Sequence, residues 1–198
     1  MKLFISLSSV FARKTRIVVR EKGLTDRVEE IVRIPVEGAP DLLAVNPLSQ
    51  IPALIDDDGV AWTDSVLISA WLDTQGEGAR LLPDPGPAYW QTRRLETAAA
   101  GLNEMMAKIV YENRRPEGER SAYWLTRWQD NLMRGFAAAD AICPSPDVFD
   151  MGTLTLAIAG TFCDFRLGHL DWRAVAPKAA ALHEVLEQRQ SFIDTYPK

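Results

Sequence analysis

The sequence predicts an α/β domain followed by an all-α helical bundle, and three observations carry that prediction. Over the first 77 residues the apolar positions switch repeatedly between strand and helix spacing. A stretch containing Gly76, Gly78, Pro83, Pro85, Gly86 and Pro87 then interrupts the pattern. Beyond it, the apolar runs keep a helical period to the end. Alternating strands and helices followed by helices alone indicate two differently built units. The boundaries are drawn at residues 1–77 for the α/β domain, 78–87 for a linker and 88–198 for the all-α domain. A chain of 198 residues with 47% hydrophobic residues can fill two small cores.

The first strand is Lys2 to Ser6. Serines interrupt this opening apolar run and a basic stretch follows where a signal cleavage site would lie, so it is read as a strand and not as a secretory leader. Val10 to Lys22 is a helix with Phe11, Thr15 and Val18 on one face and Gly23 as its stop. Arg27 to Ile34 is β-branched enough for the second strand, and Pro40 to Leu43 can make only a short helix. Ala53 to Asp56 and Val60 to Trp62 form a hairpin around Asp57-Asp58-Gly59, and Val66 to Asp73 closes the domain as a helix.

After the linker, Leu95, Ala98, Leu102, Met105 and Ile109 define one long amphipathic helix, and Leu125, Trp128, Leu132, Phe136 and Ala139 a second. Pro116 marks the break between them. A third helix begins near Asp150 and runs through Arg166, and Pro177 starts the last at its first turn. Asp150 is placed to cap its helix. Thr153 is expected to reach back less well than a carboxylate would, leaving the reciprocal half of a capping box in doubt.

Composition narrows the function classes. A formal charge of -5 argues against a nucleic-acid footprint. Arg13, Lys14, Arg16, Arg20 and Lys22 cluster on one helix and read as a solvated helix face. No apolar run reaches the roughly 18 residues that a membrane span needs, so the expectation is a soluble, cytoplasmic protein. Cys143 and Cys163 lack a Cys-x-x-Cys partner or a metal-ligand neighbour and read as reduced, buried thiols. With His169 and His183 the only histidines, neither a metal site nor a Ser-His-Asp triad is expected.

The chemistry-bearing run is Asn46-Pro47-Leu48-Ser49-Gln50-Ile51-Pro52-Ala53-Leu54. A proline entering a short strand can take the cis form, which in X-Pro costs only about 0.5–1 kcal/mol. With its ring so turned, Pro52 leaves the N–H and C=O of Ile51 facing outward, where an extended, peptide-like ligand can pair as an added strand. Asp64 and Ser65 stand where a helix begins, and the unpaired N–H groups and positive dipole end of a helix start suit a carboxylate.

Three segments resemble the soluble bacterial glutathione S-transferases. Ser8-Ser9-Val10-Phe11-Ala12-Arg13-Lys14-Thr15-Arg16 resembles that family's Ser-Pro-aromatic-x-Arg-Lys-x-Arg stretch after strand one. Asn46 to Leu54 is similar to its Asn-Pro-x-Gly-Lys-Val-Pro-x-Leu, and Thr63-Asp64-Ser65 to its acidic-Ser pair. The resemblance implies a thioredoxin-like first domain, glutathione as co-substrate, no metal, a cytoplasmic homodimer and a detoxifying transferase activity on a small apolar electrophile. It assigns glutathione binding to Ser9, Gln50, Ile51, Pro52, Asp64 and Ser65. A free thiol has a pKa near ~8.5, so the nucleophilic thiolate must be stabilised, and the resemblance gives that hydrogen bond to Ser9 with Ser8 as the neighbouring candidate. It places the electrophile against Leu7, Val10, Met105, Met106 and Ile109.

Gln50 stands where the family often has Lys, and Val10 where it usually has Pro. Two other readings therefore stay open: a transferase-fold binding or regulatory protein without turnover, and a glutathione-dependent isomerase or dehalogenase. Each site residue also has a plain structural explanation. Ser8, Ser9, Asp64 and Ser65 could be helix caps, Pro52 a turn, and the methionines core.

Overall fold

The computed structural model describes residues 1–198, which form two compact units. Met1–Leu82 together with Arg189–Lys198 make the first, and Pro83–Gln188 the second.

The first unit is built on a four-stranded sheet of β1 (Lys2–Ile5), β2 (Glu29–Val32), β3 (Ala53–Ile55) and β4 (Ala61–Thr63), in the spatial order β2-β1-β3-β4. β1 and β2 run parallel, joined through helix α1 (Val10–Glu21), and the other two pairings are antiparallel. Helices α2 (Pro40–Val45) and α3 (Ser65–Leu72) complete a thioredoxin-like βαβαββα order. Leu3, Ile5, Ile17, Val18, Leu54, Ile68 and Leu72 are fully buried, so the apolar faces of sheet and helices meet as their spacing predicts. β2 is shorter than its β-branched run. Arg33 N–H still reaches the Ile5 carbonyl at 2.8 Å, and beyond it the chain turns into the short helical turn Pro35–Glu37, while Arg27 lies in the preceding turn with its N–H on the Leu24 carbonyl at 3.0 Å.

The basic cluster on α1 is not a solvated face. Arg13, Lys14, Arg16 and Lys22 are each 5% exposed or less. Arg16 and Arg20 share the Glu30 carboxylate at 2.8 and 2.6 Å, while Lys22 lies 3.4 Å from the buried Asp73. The sequence pattern misleads because partners brought by other elements let these long side chains go inside.

The segment after α3 is packed into the first unit as well. Asp73 accepts the N–H groups of Leu81 and Leu82 at 2.9 and 3.1 Å and pairs with Arg80 at 3.0 Å. Lys22 donates to the carbonyls of Gly78 and Ala79. A Cβ on Gly76 would lie 2.2 Å from the Lys22 carbonyl oxygen, so only glycine lets the chain pass this close. Residues 78–82, grouped with a linker on composition, thus belong structurally to the first unit.

The second unit contains α4 (Pro87–Asn113), α5 (Ala122–Ala141), α6 (Met151–Leu167), α7 (Trp172–Val175) and α8 (Pro177–Leu186). Helix α6 is its central element, with every residue from Met151 to Cys163 buried. The capping box at its start is complete, contrary to the sequence expectation. Thr153 N–H donates to Asp150 Oδ1 at 2.8 Å and Asp150 N–H donates to Thr153 Oγ1 at 2.9 Å. A threonine hydroxyl suffices because the helix turn itself brings it within reach. The second Asp150 oxygen accepts from Thr92 Oγ1 at 2.7 Å, tying α6 to α4. Asp150→Ala is therefore expected to cost about 2–3 kcal/mol, since it removes a cap and strands the buried Thr92 hydroxyl. Chemical denaturation measures this, and a cost under about 0.5 kcal/mol would remove Asp150 from that role.

Helix α9 (Gln190–Asp194) and the residues after it belong to the first unit, although their sequence groups them with the bundle. Arg189 and Ser191 hold Glu21 at 2.7 and 2.5 Å. Arg13 donates to the Phe192 carbonyl and lies over the Phe192 and Tyr196 rings. No helix is long and apolar enough to cross a membrane.

Candidate functional site

Strand register brings three distant segments to one end of the first unit's strands. Phe4 of β1 pairs with Ala53 of β3, and Ala53 pairs with Thr63 of β4. The chain leaving β1 toward Ser9, the chain entering β3 through Ile51 and Pro52, and the chain leaving β4 into Asp64 and Ser65 therefore emerge side by side. Sheet pairing alone dictates this convergence.

Ser9 is the N-cap of α1. Its Oγ accepts from Ala12 N–H at 3.2 Å, and its own N–H donates to the Ser6 carbonyl at 3.3 Å. Because the hydroxyl serves the helix only as an acceptor, its hydrogen stays available to an anion placed at the helix start. The α1 dipole favours negative charge at that place. Ser8 is half-buried and has no capping role. Both serines lie at the junction predicted, and only Ser9 is held by the helix.

The Ile51–Pro52 peptide bond is cis. Pro52 is buried, and Ile51 makes no hydrogen bond to another protein group, so both its backbone groups remain unpaired. The preceding turn is braced by Asn46, a residue the sequence reading did not single out. It is 4% exposed, its Nδ2 donates to the Gln50 carbonyl at 3.0 Å, and its Oδ1 accepts from Leu48 N–H at 3.1 Å. An Asn-Pro dipeptide is a turn signal that could have marked it. Ser49 adopts φ 52° and its hydroxyl bonds the Pro35 carbonyl. This is the position where the resembling motif carries glycine, which adopts such a φ without penalty. The Gln50 side chain is exposed.

Asp64 caps α3, its Oδ1 accepting from Val66 N–H at 2.6 Å. Its backbone stands at φ 72° and ψ 130°, a conformation of order 1–3 kcal/mol above the ordinary wells and a frequent mark of ligand-contacting turns. Ser65 is 7% exposed and opens the helix with its hydroxyl bonded to no protein group. A free hydroxyl and the first N–H groups of α3 give a carboxylate two kinds of donor at one point.

Of the residues expected to meet an electrophile, Leu7 and Met105 are half-buried, while Val10, Met106 and Ile109 are 3% exposed or less. Burial makes the last three packing residues first. The cysteines do not compete with Ser9 for thiol chemistry. Burial pushes Cys143 up to about 11 and Cys163 up to about 12, with help from Asp140 and Asp164, so neither is a thiolate at neutral pH.

Comparison with known proteins places the chain among similar molecules. Residues 8–75 match the N-terminal domain of glutathione S-transferase. An uncharacterized GST-like protein of Escherichia coli, YibF, is 28% identical over 201 residues, covering 100% of this chain and 98% of that protein. A glutathione transferase family member of Pseudomonas fluorescens Pf-5, solved with bound glutathione, is 31% identical with a TM-score of 0.92, covering 100% of this chain and 98% of the other. A second structure from that organism holds S-(propanoic acid)-glutathione, at 30% identity, TM-score 0.88 and full coverage of both chains. A glutathione S-transferase of Methylobacterium radiotolerans, in complex with glutathione sulfonate, is 30% identical with a TM-score of 0.89, covering 99% of this chain and 94% of that one.

Proposed function

Since this chain belongs to the glutathione S-transferase family, we propose that it binds glutathione and activates its sulfur for attack on a small electrophile. The observation that carries this reading is the convergence of Ser9, the unpaired backbone of Ile51 and the start of α3 at one end of the strands. Glutathione would lie as an added strand along Ile51 and the cis Pro52, with one carboxylate at Ser65 and the first turn of α3 capped by Asp64. Gln50 would meet the other carboxylate through a neutral hydrogen bond, weaker than the charge-assisted bond a lysine gives. Ser9 would donate to the sulfur and hold it as thiolate. The sulfur lone pair then forms the new C–S bond while a leaving group departs with its electrons, or while a conjugated double bond takes a proton from water.

The relatives support glutathione as the ligand, because homologous chains hold glutathione or its sulfonate. We also assign the protein to the cytoplasm, where its two free cysteines stay reduced, and to a homodimer.

The test is retention on immobilised glutathione followed by an ultraviolet difference spectrum of the bound thiol. Retention with a thiolate signal well below the free pKa of ~8.5 is expected. Retention without that signal would favour a binding protein without turnover. No retention would overturn the assignment.

A further inference from the structure

The turn that leads into β3 hangs on one buried residue. Asn46 ends α2, where its N–H donates to the Leu42 carbonyl at 2.8 Å and its own carbonyl accepts from Ser49 N–H at 2.8 Å. Its side chain adds two more bonds. Oδ1 accepts from Leu48 N–H at 3.1 Å, and Nδ2 donates to the Gln50 carbonyl at 3.0 Å.

The first three of these bonds shape the turn. The fourth also sets the direction of a donor that Asn46 never touches. Gln50 and Ile51 share a trans peptide unit, in which the C=O and the N–H point opposite ways across one plane. Asn46 is 4% exposed, so its Nδ2 draws the Gln50 carbonyl inward. The Ile51 N–H must then point outward, and it meets no protein acceptor there. The Ile51 side chain holds the same orientation, because it packs against the core of Phe4, Leu42, Val45 and Ala53. A hydrogen bond accepted at one end of a peptide unit also polarises the unit and strengthens its N–H as a donor.

We propose that Asn46 is a positioning residue for the ligand: it fixes the Gln50–Ile51 peptide plane so that the Ile51 N–H meets the main-chain carbonyl of the ligand's central residue. The proposal rests on the glutathione reading, and it adds to that site the side chain that aims its main-chain donor. Facing residues of a hydrogen-bonded antiparallel pair exchange both their bonds. The bond at issue therefore runs from Ile51 N–H to the cysteinyl carbonyl of glutathione.

The test is calorimetry with glutathione and with γ-glutamyl-cysteinyl-glycolate, whose ester carbonyl is a weaker acceptor at that place. The wild type is expected to favour glutathione by about threefold or more, within the range of one neutral hydrogen bond. Asn46→Asp keeps an acceptor for Leu48 N–H and loses the donor to Gln50. At neutral pH and above, that variant should bind glutathione more weakly and its preference for the amide ligand should fall by about threefold or more. The glycyl N–H missing from the ester is common to both proteins and cancels in the comparison.

A residue that only supported the fold would lower the melting temperature and leave the preference intact, and that result would overturn the proposal. Glutathione bound by the wild type with no preference over the ester would overturn it too and leave the transferase reading standing. Failure of the wild type to bind glutathione would overturn that reading, and the role of Asn46 would fall with it. If Asn46→Asp does not fold, amide hydrogen exchange in the wild type gives the answer. The Ile51 N–H should exchange freely in the protein alone and slowly with glutathione bound; protection without ligand, or none with it, would overturn the proposal.

Discussion

Replacing Ser9 with alanine is expected to raise the pKa of bound glutathione by about 1–2 units, because a hydrogen bond to a charged partner contributes roughly 1.5–3 kcal/mol. In the proposed complex the Ser9 hydroxyl would donate to the thiolate and not to the thiol, so it would favour the charged form and lower the pKa. Its benefit is greatest below the lowered value, shrinks between that value and the free value of ~8.5, and vanishes above it, where the thiol ionises unaided. At a pH two units below the free value, kcat/KM should fall by about ten- to a hundredfold, whereas the two proteins should converge above it.

Ser9 also caps α1 through the Ala12 N–H, so the variant should lose about 1 kcal/mol of stability. Ser9→Thr restores donor and cap together and separates this structural loss from the chemical one. A pH–rate profile that moves in Ser8→Ala but not in Ser9→Ala would transfer the role to Ser8.

The second large effect concerns stability. Asp73→Asn should destabilise the protein by about 3–5 kcal/mol, the usual result of removing one partner of a buried ion pair. Lys22 is 1% exposed and would be left charged without its carboxylate. Replacing both residues by apolar ones should recover only part of the loss, since the N–H groups of Leu81 and Leu82 would keep no acceptor.

The same residue sets an acid limit. Burial pushes Asp73 upward, but the Leu81 and Leu82 N–H groups, Arg80 and Lys22 outweigh it and hold the carboxyl below its ordinary 3.8. Glu21 is held below its ordinary 4.5, where burial is outweighed by Arg189 and Ser191. A depressed folded pKa contributes stability that is fully present above the unfolded value and lost as pH falls through the folded one. Denaturation midpoints should therefore stay level from neutrality to about pH 5 and fall below about pH 4, with a shallower fall in Asp73→Asn. An equally steep fall in that variant would remove Asp73 from this role.

The candidate site is assembled from local signals. Pro52 before a short β run, Asp64-Ser65 before a helical run and Ser9 after the first strand are each legible, because turn and cap chemistry depends on a few adjacent residues. Asn46 was missed although it holds the turn, since its two hydrogen bonds reach Leu48 and Gln50 only in the folded turn. Arg13, Lys14, Arg16 and Lys22 were misread for a related reason. Sequence displays a charge but not the Glu30, Asp73 or C-terminal segment that lets it go inside.

The sequence by itself determined the fold class, a thioredoxin-like α/β arrangement followed by helices, and the three segments that resemble a glutathione-binding domain. Periodicity, turn residues and caps are properties of short stretches, and they survive in a one-dimensional record. Only the tertiary structure decided that Phe4, Ala53 and Thr63 stand in register, and that Asp150 and Thr153 close a full capping box. Those facts depend on which groups meet across long sequence separations, and a side chain's partner, or the lack of one, exists only after the chain has folded.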